Sequence, residues 1–333
     1  MLKSIYSRSL GIGAQKSMDD SRPLSLSEKG RGKVWIDIHD LIELRHQAEL
    51  MQRFSPRLLS SRSGSYQSHR RGRGMEFDEV RPYSAGDDVR SIDWRVTARS
   101  GKVHTKLYRE ERERAVILAV DLKQSMHFAT RGVFKSVLAA KLAALMAWQA
   151  LKQGDRLGGM VFSDDEHLEV RPQSGRAAVL SFMFQMANHS SWQRQEQSEP
   201  TSEGMSDLLS RLRRVARPGS QVTLISDFFD LKESDFHHLR ELARHCDLRF
   251  ISIYDRLEAK LPDPGNYMMT DGYKWLNFNT ENRRVRQQYQ DRFVEHRRIL
   301  FEICQRYGIS LTEATTADDP LDLLQKPWTI RKR

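Results

Sequence analysis

From residue 115 onward the chain alternates between short apolar runs and longer stretches whose apolar positions recur every three or four residues. The first pattern is that of strands, the second that of amphipathic helices. Strands are predicted at 115–121, 157–163, 167–171, 221–227, 248–254 and 309–313. Helices are predicted near 133–152, 175–188, 204–216, 234–245, 281–307 and 320–325. The runs AVILAV and VTLIS show no polar alternation, so both faces of these strands are expected to be covered, as in the middle of a parallel sheet. Regular alternation of strand and helix predicts an α/β fold, a doubly wound, mostly parallel sheet flanked by helices. The stripe Phe134, Leu138, Leu142, Leu145, Met146 and Trp148 on one helix, interrupted by Lys135 and Lys141, and Val285, Tyr289, Phe293, Ile299, Leu300 and Ile303 on another, are expected to be core.

The chain before residue 111 follows a different pattern. Residues 1–32 are polar, rich in Ser and Gly and without period, which predicts a flexible tail. Residues 33–110 begin with a helical pattern (Ile38, Leu41, Ile42, Leu44, Ala48, Met51), then pass through an arginine-rich loop to short extended pieces around Ser84-Ala-Gly-Asp-Asp. A small N-terminal α+β extension over 33–110 and an α/β domain over 111–333 are therefore expected.

Charge adds one feature. The net charge is +10, and residues 1–110 hold 21 Lys and Arg against 14 Asp and Glu, so most of the surplus lies there. Arg57, Arg62, Arg70, Arg71 and Arg73 stand among Ser and Gly with no carboxylate between them. Such a loop can meet phosphate or anionic lipid, or simply be solvated. It supports one alternative function, a nucleic-acid-associated protein or a metal-dependent phosphodiesterase. Against that, no extended basic stripe and no interleaved aromatic platform accompany the loop, so nucleic acid is not the expected partner. No run of 18 apolar residues and no long apolar N-terminal stretch is present, which predicts a cytoplasmic location. Cys246 and Cys304 are expected to sit reduced in the core. The stretch at Gly11 misses phosphate-loop spacing, and H-E-x-x-H, C-x-x-C and G-x-S-x-G are absent. No catalytic or cofactor-binding residue is assigned, and an enzyme is not expected.

Two stretches carry a resemblance. In GMEFDEVRPYSAGDDVRSIDWRVTAR (residues 74–99), Gly74, Glu76, Phe77, Arg81, Tyr83, Gly86, Asp87, Asp88, Arg90, Ile92, Asp93, Trp94, Ala98 and Arg99 resemble the signature of the bacterial domain of unknown function 58 family. AVILAV running into Asp121-Leu-Lys-Gln-Ser125 resembles the start of a von Willebrand factor A domain. The second resemblance implies one divalent cation, usually Mg²⁺, held by an Asp-x-Ser-x-Ser loop, a Thr from a second loop and an Asp after the fourth strand. Asp121, Ser125, Thr201 (or Ser202) and Asp227 match those positions, but Lys123 replaces the middle serine. Lysine has no acceptor for a metal. Either Lys123 folds inward and pairs with Asp121 and Asp227 in place of the cation, or it faces solvent and a weakened metal site remains. A third reading makes Asp121 and Asp227 mere caps of turns.

In the signature block, Asp87 and Asp88 are suited to stabilising a tight turn, Arg81 and Arg90 to clamping carboxylates, and Tyr83 and Trp94 to pinning the block to its neighbour. The alternative is a docking surface of Asp87, Asp88 and Arg90. Members of the resembled family commonly occur beside MoxR-type AAA+ ATPases. The resemblance thus implies such a partner, with this chain as a non-enzymatic adaptor recognising a client, including a membrane-associated complex. Asp121, Lys123, Ser125 and Asp227 would then form the docking face.

Overall fold

The structure, a computed structural model, describes residues 30–51, 75–84, 87–110, 114–192, 204–270 and 275–326. The chain divides into two compact units, Phe54–Arg114 and the remainder, Met1–Arg53 with Ala115–Arg333. In chain order the elements begin with α1 (Ile38–Leu50), β1 (Met75–Pro82), α2 (Trp94–Ser100) and β2 (His104–Glu110). Then come β3 (Ala115–Asp121), α3 (Lys135–Lys152), β4 (Arg156–Phe162), β5 (His167–Gln173), α4 (Arg176–Ala187), α5 (Met205–Val215) and β6 (Gln221–Ser226). The rest are α6 (Phe236–His245), β7 (Asp247–Tyr254), α7 (Arg256–Ala259), β8 (Asn266–Thr270), β9 (Trp275–Asn279), α8 (Arg283–Tyr307), β10 (Ser310–Thr315) and α9 (Pro320–Gln325).

The larger unit is the doubly wound α/β fold expected. Its six-stranded sheet has the order β10-β7-β6-β3-β4-β5. Every neighbour pair is parallel except β4 with β5, which form an antiparallel edge hairpin. All six strands fall within two residues of the predicted ones. β3 and β6 are covered on both faces, as their unbroken apolar runs require. The chain leaves β3 towards β4 on one side, and later returns to place β6 on the other. The loops after β3 and β6 therefore part above the sheet, opening a crevice at their carboxyl ends.

Helix α1 belongs to this larger unit, whereas its sequence placement was with the 33–110 segment. It starts in a capping box built by Asp37 and Asp40. Its buried Leu41, Leu44 and Ala48 give it an apolar face. On α3, the Trp148 indole N–H donates to Leu41 O at 3.0 Å, and the Lys152 ammonium to Glu49 O at 2.7 Å. Lys141, one of the lysines that interrupt α3, donates to Gly32 O at 3.0 Å. A second difference is the antiparallel hairpin β8–β9, which the strand pattern does not predict, and a third is that Val285 and Ile299 of α8 are exposed rather than core. The smaller unit pairs β1 antiparallel with β2 around the short helix α2.

Packing of α4 on the sheet is close at one glycine. A Cβ on Gly159 of β4 would stand 2.2 Å from the Phe182 ring. Gly159→Ala is expected to lower stability by about 1–3 kcal/mol, the cost of forcing a methyl into a filled core. A urea titration with an unchanged midpoint would contradict this packing.

Candidate functional site

The two loops at the crevice are organised by buried charge. Asp121 ends β3 and is 2% exposed. Its Oδ1 accepts the Lys123 backbone N–H at 2.9 Å, and its Oδ2 accepts the Ser226 hydroxyl at 2.6 Å. Asp227 follows β6. Its Oδ1 accepts the Phe229 N–H at 3.2 Å, and its Oδ2 accepts the Lys135 ammonium at 3.1 Å. Lys135, in the first turn of α3, is 0% exposed and also donates to Glu258 Oε1 at 2.6 Å. Its Nζ stands 5.3 Å from the centre of the Phe229 ring, a cation–π arrangement.

Backbone geometry sets these directions. Phe228 has φ +58°, a left-handed conformation uncommon for a bulky residue. The core holds it there: Phe228 is fully buried against Phe250, ring centres 4.5 Å apart, and its N–H donates to Ser226 Oγ at 3.0 Å. From α8, the His296 Nε2–H donates to Asp227 O at 3.2 Å, and its ring stacks on Phe229 at 4.8 Å. Burial lowers the His296 pKa, which keeps this imidazole neutral.

Lys123 is folded inward, its side chain 4% exposed, but its direct partner is Asp230, at 3.0 Å, rather than Asp227. Its Nζ also lies 5.7 Å from the Phe162 ring centre, and its charge acts on Asp121. The cation on Asp227 is Lys135, which the sequence reading left as an interruption of a core helix. Ser125 is exposed on the turn after Lys123, beside Gln124, whose N–H is tied to Asp164 Oδ2 at 2.8 Å. Thr201 lies outside the described residues, as do the loop arginines at 57–73.

Among the described residues, Lys123 and Lys135 face four carboxylates, Asp121, Asp227, Asp230 and Glu258. Burial, then the charge of Asp227, pushes the Asp121 carboxyl up to about 7. Burial likewise raises Glu258. For both lysines burial is the largest influence and acts downward. Asp227 and Glu258 outweigh it for Lys135, Asp121 and Asp230 for Lys123, so both stay protonated.

A second knot lies beside the first. Asp255, after β7, accepts the Thr130 N–H and hydroxyl at 2.9 and 2.7 Å, the Thr316 hydroxyl at 2.6 Å and the Leu257 N–H at 2.8 Å. Burial alone would raise its pKa, but these hydrogen bonds hold it below the usual range. The Asp255 N–H in turn donates to Glu258 Oε2 at 2.7 Å, joining the two knots.

These residues do not fit a divalent cation. Each carboxylate oxygen of Asp121 and Asp227 already accepts a hydrogen bond, and two ammoniums occupy the space where positive charge is wanted. Among the described residues, no group of three or more His, Cys, Asp and Glu is arranged to hold a metal.

In the smaller unit Asp87, Asp88 and Asp93 are engaged by nearby backbone N–H groups. Asp87 Oδ1 accepts from Arg81 at 2.6 Å and its Oδ2 from the Ser84 N–H at 2.9 Å. Asp88 caps the following turn through the Arg90 N–H at 2.9 Å. Asp93 caps α2 through Arg95 N–H and Val96 N–H, at 3.0 and 3.2 Å. Of the docking trio Asp87, Asp88 and Arg90, the first two are thus engaged in turns and Arg90 remains outward. Trp94 is 67% exposed.

Strand order and switch point define a doubly wound, mostly parallel α/β domain whose crevice holds two aspartates and two lysine ammoniums. The chain belongs to the family described as "Protein of unknown function DUF58", whose profile matches residues 79–299. Uncharacterized proteins of Mycobacterium bovis and Mycobacterium tuberculosis are 29% identical over 201 residues, which is 60% of this chain. The match spans 61% of the length of these relatives. Among solved structures, BatB from Bacteroides thetaiotaomicron is similar with a TM-score of 0.38 and 12% identity, over 63% of this chain and 94% of that one. A von Willebrand factor type A protein from Catenulispora acidiphila gives 0.34 and 10%, over 66% and 41%.

Lys135→Met would strand Asp227 and Glu258 in the interior. It is expected to cost about 3–5 kcal/mol, read by chemical denaturation; a loss below about 1 kcal/mol would contradict the assigned pairing. The pH dependence has a defined sign. Asp121 binds its proton more tightly folded than unfolded, so its contribution falls as pH rises from about 4 to about 7. Asp121→Asn is expected to flatten that part of the stability profile.

Proposed function

We propose that this chain is a non-enzymatic adaptor that docks a partner protein on the loops at the carboxyl ends of its sheet. On this reading it acts in the cytoplasm with a MoxR-type AAA+ ATPase, in the assembly or remodelling of a protein complex, with a membrane-associated complex as client. The observation that carries it is the internal bonding of the crevice aspartates. Asp121 and Asp227 are held by Lys123, Lys135, Ser226 and backbone N–H groups, so the loops are fixed without a bound ion. A rigid face loses little freedom on binding, which favours recognition. On it, Gln124 and Ser125 are exposed and available to a partner.

The tagged protein, purified from its native host at moderate salt, is expected to bring an AAA+ ATPase with it. Ser125→Tyr, a change on an exposed position, is expected to abolish recovery without altering stability. Recovery that survives this change would move the docking face elsewhere. Recovery of nuclease-sensitive nucleic acid in place of the ATPase would reject the adaptor reading. Calorimetric titration with MgCl₂ or MnCl₂ is expected to give no saturable heat; saturable binding at Asp121 would return the crevice to metal chemistry.

A further inference from the structure

The smaller unit sorts its charges by direction. Between residues 87 and 106 the carboxylates of Asp87, Asp88 and Asp93 are turned onto backbone N–H groups. The bases of the same stretch behave otherwise. Lys106 lies 3.5 Å from Asp93, but Arg90, Arg95, Arg99 and Lys102 have no carboxylate partner among the described residues. Helical spacing puts Trp94, Arg95, Ala98 and Arg99 on one arc of about 140°. Val96 and Thr97 take the other side, where Thr97 Oγ1 accepts the His104 N–H at 3.1 Å. All four residues of the first arc are exposed, Trp94 by 67%, and Val89, just before Arg90, is exposed by 61%.

The exposed indole stands with exposed Val89 as apolar area a ligand can cover, and the neighbouring arginines define which. The covering medium must be apolar at the indole and anionic around it. The boundary of an anionic bilayer meets both demands: indole rings settle at headgroup depth, and guanidinium groups meet phosphate and carboxylate. Residues 87–106 hold five Lys and Arg against three Asp, a surplus of the sign this surface needs. Single-stranded nucleic acid fits less well, because Val89 offers no face for a base to stack on. A protein interface would set the indole into a pocket of its partner, and a bilayer requires no such matched shape.

We propose that Val89, Arg90, Trp94, Arg95, Arg99 and Lys102 form a peripheral membrane-docking surface for anionic phospholipid headgroups. The proposal is independent of the adaptor reading, since it rests on the other unit.

Co-flotation of the full chain with vesicles tests it. Vesicles of phosphatidylcholine containing a minority of phosphatidylserine are expected to carry the protein at low salt, and vesicles of phosphatidylcholine alone are not. Arg95→Ser with Arg99→Ser is expected to lower partitioning about thirtyfold, at about fivefold per cation. Trp94→Ser is expected to lower it about tenfold. Both variants keep the wild-type circular dichroism spectrum, since the substituted side chains are exposed. Absence of flotation with the anionic vesicles overturns the proposal. So does flotation that both variants retain but Arg70→Ser/Arg71→Ser/Arg73→Ser abolishes, and so does preferential binding of oligothymidylate through the same residues.

Discussion

The structure depends most on one ammonium group. Lys135 is enclosed at the start of α3, between Asp227 from the exit of β6 and Glu258 from α7. Removing three charges from water is expensive, and their mutual attraction recovers that cost only when each is well hydrogen-bonded. Here each is. Glu258 takes the Asp255 N–H on its second oxygen, Asp227 takes the Phe229 N–H, and the ammonium rests near an aromatic ring. A pair of this kind adds little over apolar packing, but it makes other arrangements of the same loops unfavourable. The loops after β3, β6 and β7 are therefore set by one mutual constraint.

The two units solve the same problem in different ways. In the larger one, carboxylates are buried and lysines are brought to them from distant positions in the chain. In the smaller one, carboxylates stay near the surface and are satisfied locally, by amide groups two or three residues away. Local satisfaction leaves Arg90, Arg95, Arg99 and Lys102 without a carboxylate partner among the described residues, so this stretch turns cations outward although acids and bases interleave in its sequence.

The sheet was legible in the chain because burial on both faces leaves an unmistakable mark in AVILAV and VTLIS, and because helix and strand differ in period. The Asp121 and Asp227 positions were legible for the same reason, since they end those two runs. Lys135 was not. In an apolar helix a lysine reads as a defect, and its partners lie 92 and 123 residues away. One signal was available: a cation in a first turn opposes the helix dipole, so its presence there calls for a compensating charge. Asp230 and His296 left no comparable sign, because a loop aspartate and a helical histidine are ordinary on a surface. The capping by Asp87 and Asp88 was legible as turn chemistry, whereas the exposure of Trp94 runs against what its residue type suggests.

The presence of two ammoniums, rather than one, has an evolutionary consequence. Restoring serine at Lys123 would leave Lys135 on Asp227 and still oppose a divalent ion. Replacing Lys135 alone would leave two carboxylates unpaired before any ion could be held. A lineage with this interior therefore has to change both lysines to hold a metal there, and the step that removes Lys135 first passes through a protein with two unpaired buried carboxylates.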